Sequence, residues 1–163
     1  MTIRLTKLIT CCIGIITLVS CANQSVRSSD PEKEKAAILK VIKAETEYFI
    51  ARDIEGLSTV FANKAYIQTF YDLYQQPGVV VRSRGYDDIM LGYKEYFNQP
   101  NNVKYPPLVK SDIQIEIRGE MAWVTFVENQ DHPHHGIRIL EKIDGEWKIA
   151  LLSVHVESAE PFI

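Results

Sequence analysis

Proton-transfer chemistry in this sequence falls to a small set of side chains: His155, Asp72, and the tyrosines Tyr66, Tyr71, Tyr74 and Tyr93. A tyrosine hydroxyl aimed at a carbonyl, with a carboxylate nearby, makes an isomerase-like or dehydratase-like site, because the hydroxyl stabilises the charge that develops on oxygen. His155 follows Trp147, Ile149, Leu151 and Ser153 at a spacing of two, which places all five on one face of a strand. An imidazole beside such an apolar wall has its pKa shifted toward general acid or base work. The structural alternative is an outward face, or a strand-end histidine with its hydrogen bonds satisfied. For the tyrosines the alternative is packing at the edge of a core with a wet hydroxyl.

His132, His134 and His135 lie close to Asp131, and neutral imidazoles at short spacing can ligate zinc or copper. In an extended chain, however, neighbouring side chains point to opposite faces. The expected metal content is therefore none, with the three histidines as a weak alternative. The sequence has no Gly-rich phosphate loop, no His-Glu-x-x-His, no Cys-x-x-Cys and no nucleophile elbow. No cofactor is expected.

The elements that must position these groups follow from periodicity. Ile38, Val41, Ile42, Glu45, Tyr48 and Phe49 recur at intervals of three and four, which predicts a long helix from Glu32 to about Arg52. Asp30 is its cap, Pro31 its first residue, and Glu32 to Glu34 suit the dipole. A short helix over Ile54 to Phe61 follows, capped by Asp53. Ala65 to Phe70 and Val79 to Val81 read as strands about a turn at Gln75 to Gly78, and Asp87 to Phe97 as a third helix. Asn98 to Pro107 is a loop. The last third alternates as strands: Ile113 to Ile117, Ala122 to Glu128, His135 to Ile143 and Glu146 to Val156, with turns at Gly119-Glu120 and Asp144-Gly145. Helices followed by an antiparallel meander define an α+β class.

Three stretches carry a resemblance to the nuclear transport factor 2-like superfamily. They are Tyr48 to Leu57 leading to Phe61-Ala62, Gly85-Tyr86-Asp87-Asp88-Ile89, and Asp144-Gly145-Glu146-Trp147-Lys148-Ile149. The resemblance spans roughly residues 33 to 157. It implies a cone, with three N-terminal helices packed on a curved, mostly antiparallel sheet. Trp147 would plug the core, and pocket groups would come from His155, Asp72, Tyr71, Tyr66 and Tyr93. Asp72 stands in roughly the region where isomerase relatives carry their base. The superfamily includes isomerases, dehydratases, cyclases and non-catalytic binding and assembly domains, so fold alone does not assign activity. It further implies a homodimer formed through the outer sheet face. The expected role is a non-catalytic domain binding a small apolar ligand or serving as an interaction module; the alternative is a cofactor-free isomerase, dehydratase or cyclase.

The amino terminus carries a separate signal. Arg4 and Lys7 precede an apolar run from Leu8 to Val19, shorter than the roughly 20 residues a spanning helix needs. The run ends in Leu18-Val19-Ser20-Cys21, which resembles the lipobox of bacterial lipoproteins. That resemblance implies cleavage before Cys21, lipid on its thiol, and a protein held at the cell membrane or, from Ala22, the outer membrane. Residues 1–20 would be a leader, 21–32 a lipidated cysteine and polar tether, and 33–163 the folded domain. Cys11 and Cys12 would leave with the leader. Loss of Arg4 and Lys7 leaves 16 basic against 21 acidic side chains, a net charge of −5 that disfavours a nucleic-acid partner.

Overall fold

A computed structural model describes residues 30–72, 79–100, 108–129 and 133–156. Cys21, the leader, most of the tether, Tyr74, the turn at Gln75 to Gly78, Asp131 and His132 lie outside these residues. Helix α1 spans Pro31–Ala51. It begins where the sequence places it: the Asp30 carboxylate accepts the Glu32 N–H at 3.1 Å, and Glu32 and Glu34 fall in the positive first turn. Arg52 ends it in the left-handed cap conformation (φ 55°, ψ 32°), its N–H returning to the Phe49 and Tyr48 carbonyls. Asp53 then caps α2, Ile54–Val60, by accepting the Gly56 N–H at 2.9 Å. Any Cβ at Gly56 would sit 2.4 Å from the Tyr48 ring, so only glycine permits this close fold-back. The bend delivers Leu57, fully buried, to the core.

The remaining elements are β1 (Gln68–Asp72), β2 (Val80–Arg84), α3 (Tyr86–Asn98), β3 (Val109–Arg118), β4 (Met121–Asn129), β5 (Pro133–Ile143) and β6 (Glu146–Val156). The strands form one curved six-stranded sheet in the order β2-β1-β6-β5-β4-β3. Every pair is antiparallel except β1 with β6. This is the expected α+β architecture. Ile38 and Ile42 of α1 pack with Leu57, Ile67, Val124, Leu140, Ile149 and Leu152 in a single core. At the β5–β6 hairpin end, Glu34 accepts hydrogen bonds from the Trp147 indole and from Lys142, both at 2.6 Å, and so ties the start of α1 to the sheet.

Two bulges interrupt the strand alternation. In β3 the register shifts between Ser111 and Gln114, around Asp112 (φ 51°); Ile115 and Ile117 then pack on the core while Ile113 is 39% exposed. In β6, Leu140 pairs with Ile149 but Ile139 pairs with Leu151, so Ala150 is the extra residue. Before it Trp147 and Ile149 face the helices. After it Leu152 and Val154 do, and Leu151, Ser153 and His155 turn to the outer face.

Candidate functional site

Inside the cone, four elements bring polar groups into an apolar enclosure. Tyr71 from β1 and Tyr93 from α3 share a hydroxyl-to-hydroxyl hydrogen bond. Around Tyr93 stand the rings of Phe49, Phe61, Tyr71 and Phe97, with centroids 5.9 to 6.5 Å away. Close by, Arg138 of β5 reaches Glu45 of α1, with Nη2 donating to both carboxylate oxygens at 3.1 and 3.2 Å. Nη1 donates to the Ile137 and Ser153 carbonyls, each at 3.2 Å. Arg138 is 2% exposed and Glu45 6%. Among the described residues, Nε–H is the one of the five guanidinium donors without a protein acceptor.

A second ion pair lies on the same side of the sheet. Lys110 of β3 meets Glu128 of β4 at 3.0 Å and donates to the Thr46 hydroxyl, which itself donates to the Ile42 carbonyl at 3.2 Å. Between the two cations sits the Phe126 ring, with Lys110 Nζ at 5.0 Å and the Arg138 guanidinium at 5.1 Å. The interior is therefore polar but balanced in charge, with each buried cation matched to a carboxylate.

Burial dominates the electrostatics of the tyrosine pair. It pushes the Tyr71 hydroxyl well above its ordinary value of 10.0, opposed by the Tyr93 hydrogen bond and Arg138 and reinforced by Glu45. Tyr93 rises for the same first reason, with Tyr71 and Glu45 adding to it. Both therefore stay neutral donors at physiological pH. Because the folded-state values exceed the unfolded ones, this pair contributes stability that is complete below about pH 10 and is lost as pH climbs toward the folded values. In an ultraviolet tyrosinate titration, two of the eight tyrosines should ionise only as the fold is lost, and Tyr71→Phe/Tyr93→Phe should remove that late component. All eight ionising in one early step with the fold intact would contradict the buried pair.

This assembly of helix hairpin, third helix and curved sheet around a polar interior is matched over residues 38–157 by the family model described as SnoaL-like domain. The chain belongs to the SnoaL-like domain family. A comparison with curated proteins finds no significant match. Among solved structures, a proposed dehydratase of the nuclear transport factor 2-like family from Streptomyces avermitilis superposes with a TM-score of 0.65 at 16% identity, covering 80% of this chain and 100% of that one. A nuclear transport factor 2-like protein of unknown function from Shewanella baltica gives 0.61 at 15% identity, with coverage of 80% and 99%. A candidate calcium/calmodulin-dependent protein kinase type II association domain from Thiobacillus denitrificans gives 0.61 at 11%, with coverage of 72% and 93%. Likeness at such identities establishes the fold.

Within this SnoaL-like domain the expected pocket residues divide. Tyr71 and Tyr93 meet inside. His155 and Asp72 meet each other on the outer face, with Nδ1 to Oδ2 at 3.2 Å: the Ala150 bulge reverses the phase that the sequence spacing implied for His155, and Asp72 alternates with the inward Tyr71 on β1. The Ser153 hydroxyl completes that group, 2.7 Å from His155 Nε2. A pocket set combining His155 or Asp72 with the inner tyrosines therefore does not form. Tyr66 is 52% exposed and donates to the Glu141 carboxylate at 2.5 Å; that bond, with lesser contributions from burial and from the carboxylate charge, pushes its hydroxyl up to about 12. Trp147 lies 4% exposed at the hairpin end of β6, held by Glu34 and distant along the strand from the tyrosine pair.

His134 pairs with Glu128 on the inner face, and its neighbour His135 takes the outer one. Among the described residues no three histidine, cysteine or acidic side chains converge as metal ligands. A shallow groove of about 380 Å³ lies elsewhere, between Lys35, Ala36 and Leu39 of α1 and Ile113 and Ile115 of β3, away from the tyrosine pair. Glu45 and Arg138 were missed as site residues. The signal was present for Glu45, a charge on the inward stripe of α1; for Arg138, nothing in its strand distinguishes an inward arginine from an outward one.

Proposed function

We propose that this SnoaL-like domain is a lipid-anchored cell-envelope protein whose cone binds a small, mostly apolar ligand bearing a carbonyl oxygen, and which pairs with a second copy through its outer sheet face. The observation that carries the ligand reading is the Tyr71–Tyr93 hydroxyl pair inside an aromatic enclosure. Two hydroxyls hold two protons, and the bond between them uses one. The other is a donor suited to a ligand oxygen in a site of low dielectric.

Binding is favoured over turnover because the two carboxylates of this interior are already engaged, Glu45 at both oxygens by Arg138 and Glu128 by Lys110. The isomerase, dehydratase or cyclase reading required His155 or Asp72 beside the tyrosines, and these face the other side of the sheet. The anchor rests on the Leu18-Val19-Ser20-Cys21 pattern.

Calorimetric titration with a panel of apolar ketones should give saturable binding to the wild-type protein. Tyr93→Phe should weaken it by up to about tenfold, the value of one net hydrogen bond. Absence of saturable binding by every panel member would remove the ligand reading. Cys21→Ser should release the protein from the membrane fraction and abolish fatty-acid labelling, whereas unchanged fractionation would remove the anchor.

A further inference from the structure

The groove between the first turns of α1 and the edge strand β3 is not used by the interior chemistry. Ala36 and Leu39 of α1 and Ile113 and Ile115 of β3 line its space of about 380 Å³, and Glu32 and Lys35 close one end as an ion pair at 3.0 Å. Leu39 and Ile113 are each 39% exposed, so large aliphatic side chains meet water on both walls. β3 is the last strand of the sheet, so no further strand lies beyond this seam.

The place of the groove along the chain says what covers it. Asp30 caps α1, and Cys21 precedes Asp30 by nine residues. Nine residues span at most about 32 Å when fully extended. Leu39 stands nine residues past the cap, about 14 Å along the helix. The groove is therefore well inside the reach of a lipid carried on Cys21.

We propose that this groove is the face by which the domain docks on the bilayer that holds its anchor, with Leu39 and Ile113 set against the upper part of the lipid chains. This rests on the lipid anchor proposed above. A short tether holds the domain at an effective concentration of about 1 mM, so a contact too weak to recruit free protein suffices. The aliphatic walls supply the apolar area of an interfacial contact. Lys35 lays its stem along the groove and keeps its ammonium at the rim, as lysines at a membrane surface do. Because Glu32 and Lys35 cancel in charge, the contact needs no anionic lipid and resists salt.

Other occupants fit less well. The tether from Ala22 to Ser29 brings Val26 as its one large apolar side chain. A second copy is met through the outer sheet face, whereas the groove lies at the sheet's edge on the helix side. A small soluble molecule needs a pocket that encloses most of its surface, and this groove is shallow.

Once Cys11 and Cys12 leave with the leader and Cys21 is acylated, a new cysteine is the one free thiol. The acylated chain, with Ala36→Cys or Leu91→Cys carrying an environment-sensitive fluorophore, is reconstituted in phosphatidylcholine vesicles that contain a spin-labelled phosphatidylcholine quencher. Leu91 is 53% exposed on α3, which packs on β1 and β2 at the other side of the sheet. Quenching at position 36 should exceed that at position 91 by at least about fivefold, at low and high salt alike. Leu39→Asp/Ile113→Asp should lower it to the level at position 91, with vesicle flotation and circular dichroism unchanged. Equal quenching at the two positions, or quenching that survives the double variant, would overturn the docking while flotation keeps the anchor standing. A purified chain that carries no fatty acid by mass spectrometry would overturn the anchor, and the docking with it.

Discussion

Arg138→Ala is expected to destabilise the domain by about 3–5 kcal/mol, the cost of leaving a buried carboxylate without its partner. Glu45 is 6% exposed, and both of its oxygens accept from Arg138 alone among the described bonds. Removing the guanidinium also frees the Ser153 and Ile137 carbonyls and takes one cation from the Phe126 ring. The loss should appear as a lower urea midpoint with an unchanged slope. A paired replacement by apolar residues of similar size, Glu45→Leu with Arg138→Met, should recover most of it, because the ion pair's attraction is largely offset by its desolvation. If Arg138→Ala alone left the midpoint unmoved, the pair would not be buried as described.

Gly136→Ala should cost about 1–3 kcal/mol through overpacking. The Phe126 ring lies flat against this glycine, and an added Cβ would fall 2.2 Å from it. The ring cannot give way cheaply: Phe126 is 3% exposed and held between Lys110 and Arg138. A glycine within a strand commonly marks such a close approach. Trimming the ring should relieve the clash, so Gly136→Ala with Phe126→Leu should be less destabilised than the sum of the two single variants. Strict additivity would show that the two positions do not share the space.

Local signals were legible wherever a side chain bonds its own backbone neighbours. Asp30 and Asp53 cap α1 and α2 as expected, and the Asp144-Gly145 turn joins β5 to β6. Strand limits were less legible, because they depend on a distant partner. A strand expected over Ala65 to Phe70 begins instead at Gln68, where pairing with Leu151 of β6 starts, and the strand expected at Val79 to Val81 continues to Arg84 because β1 pairs with it there.

The sequence by itself determined the helix limits to within about a residue, because periodicity and capping act over a few residues. The fold family, with Trp147 in the core and Tyr71 and Tyr93 among the candidate pocket groups, was what the resemblance implied. Only the tertiary structure decided which chemistry those groups share. One extra residue at Ala150 turned His155 to the outer face, since a strand alternates sides at every step and a single insertion inverts everything beyond it; Asp72 faces outward because it follows the inward Tyr71 on β1. The partners found inside, Glu45 and Arg138, are 93 residues apart in the chain. Only the sheet's curvature around α1 brings them together.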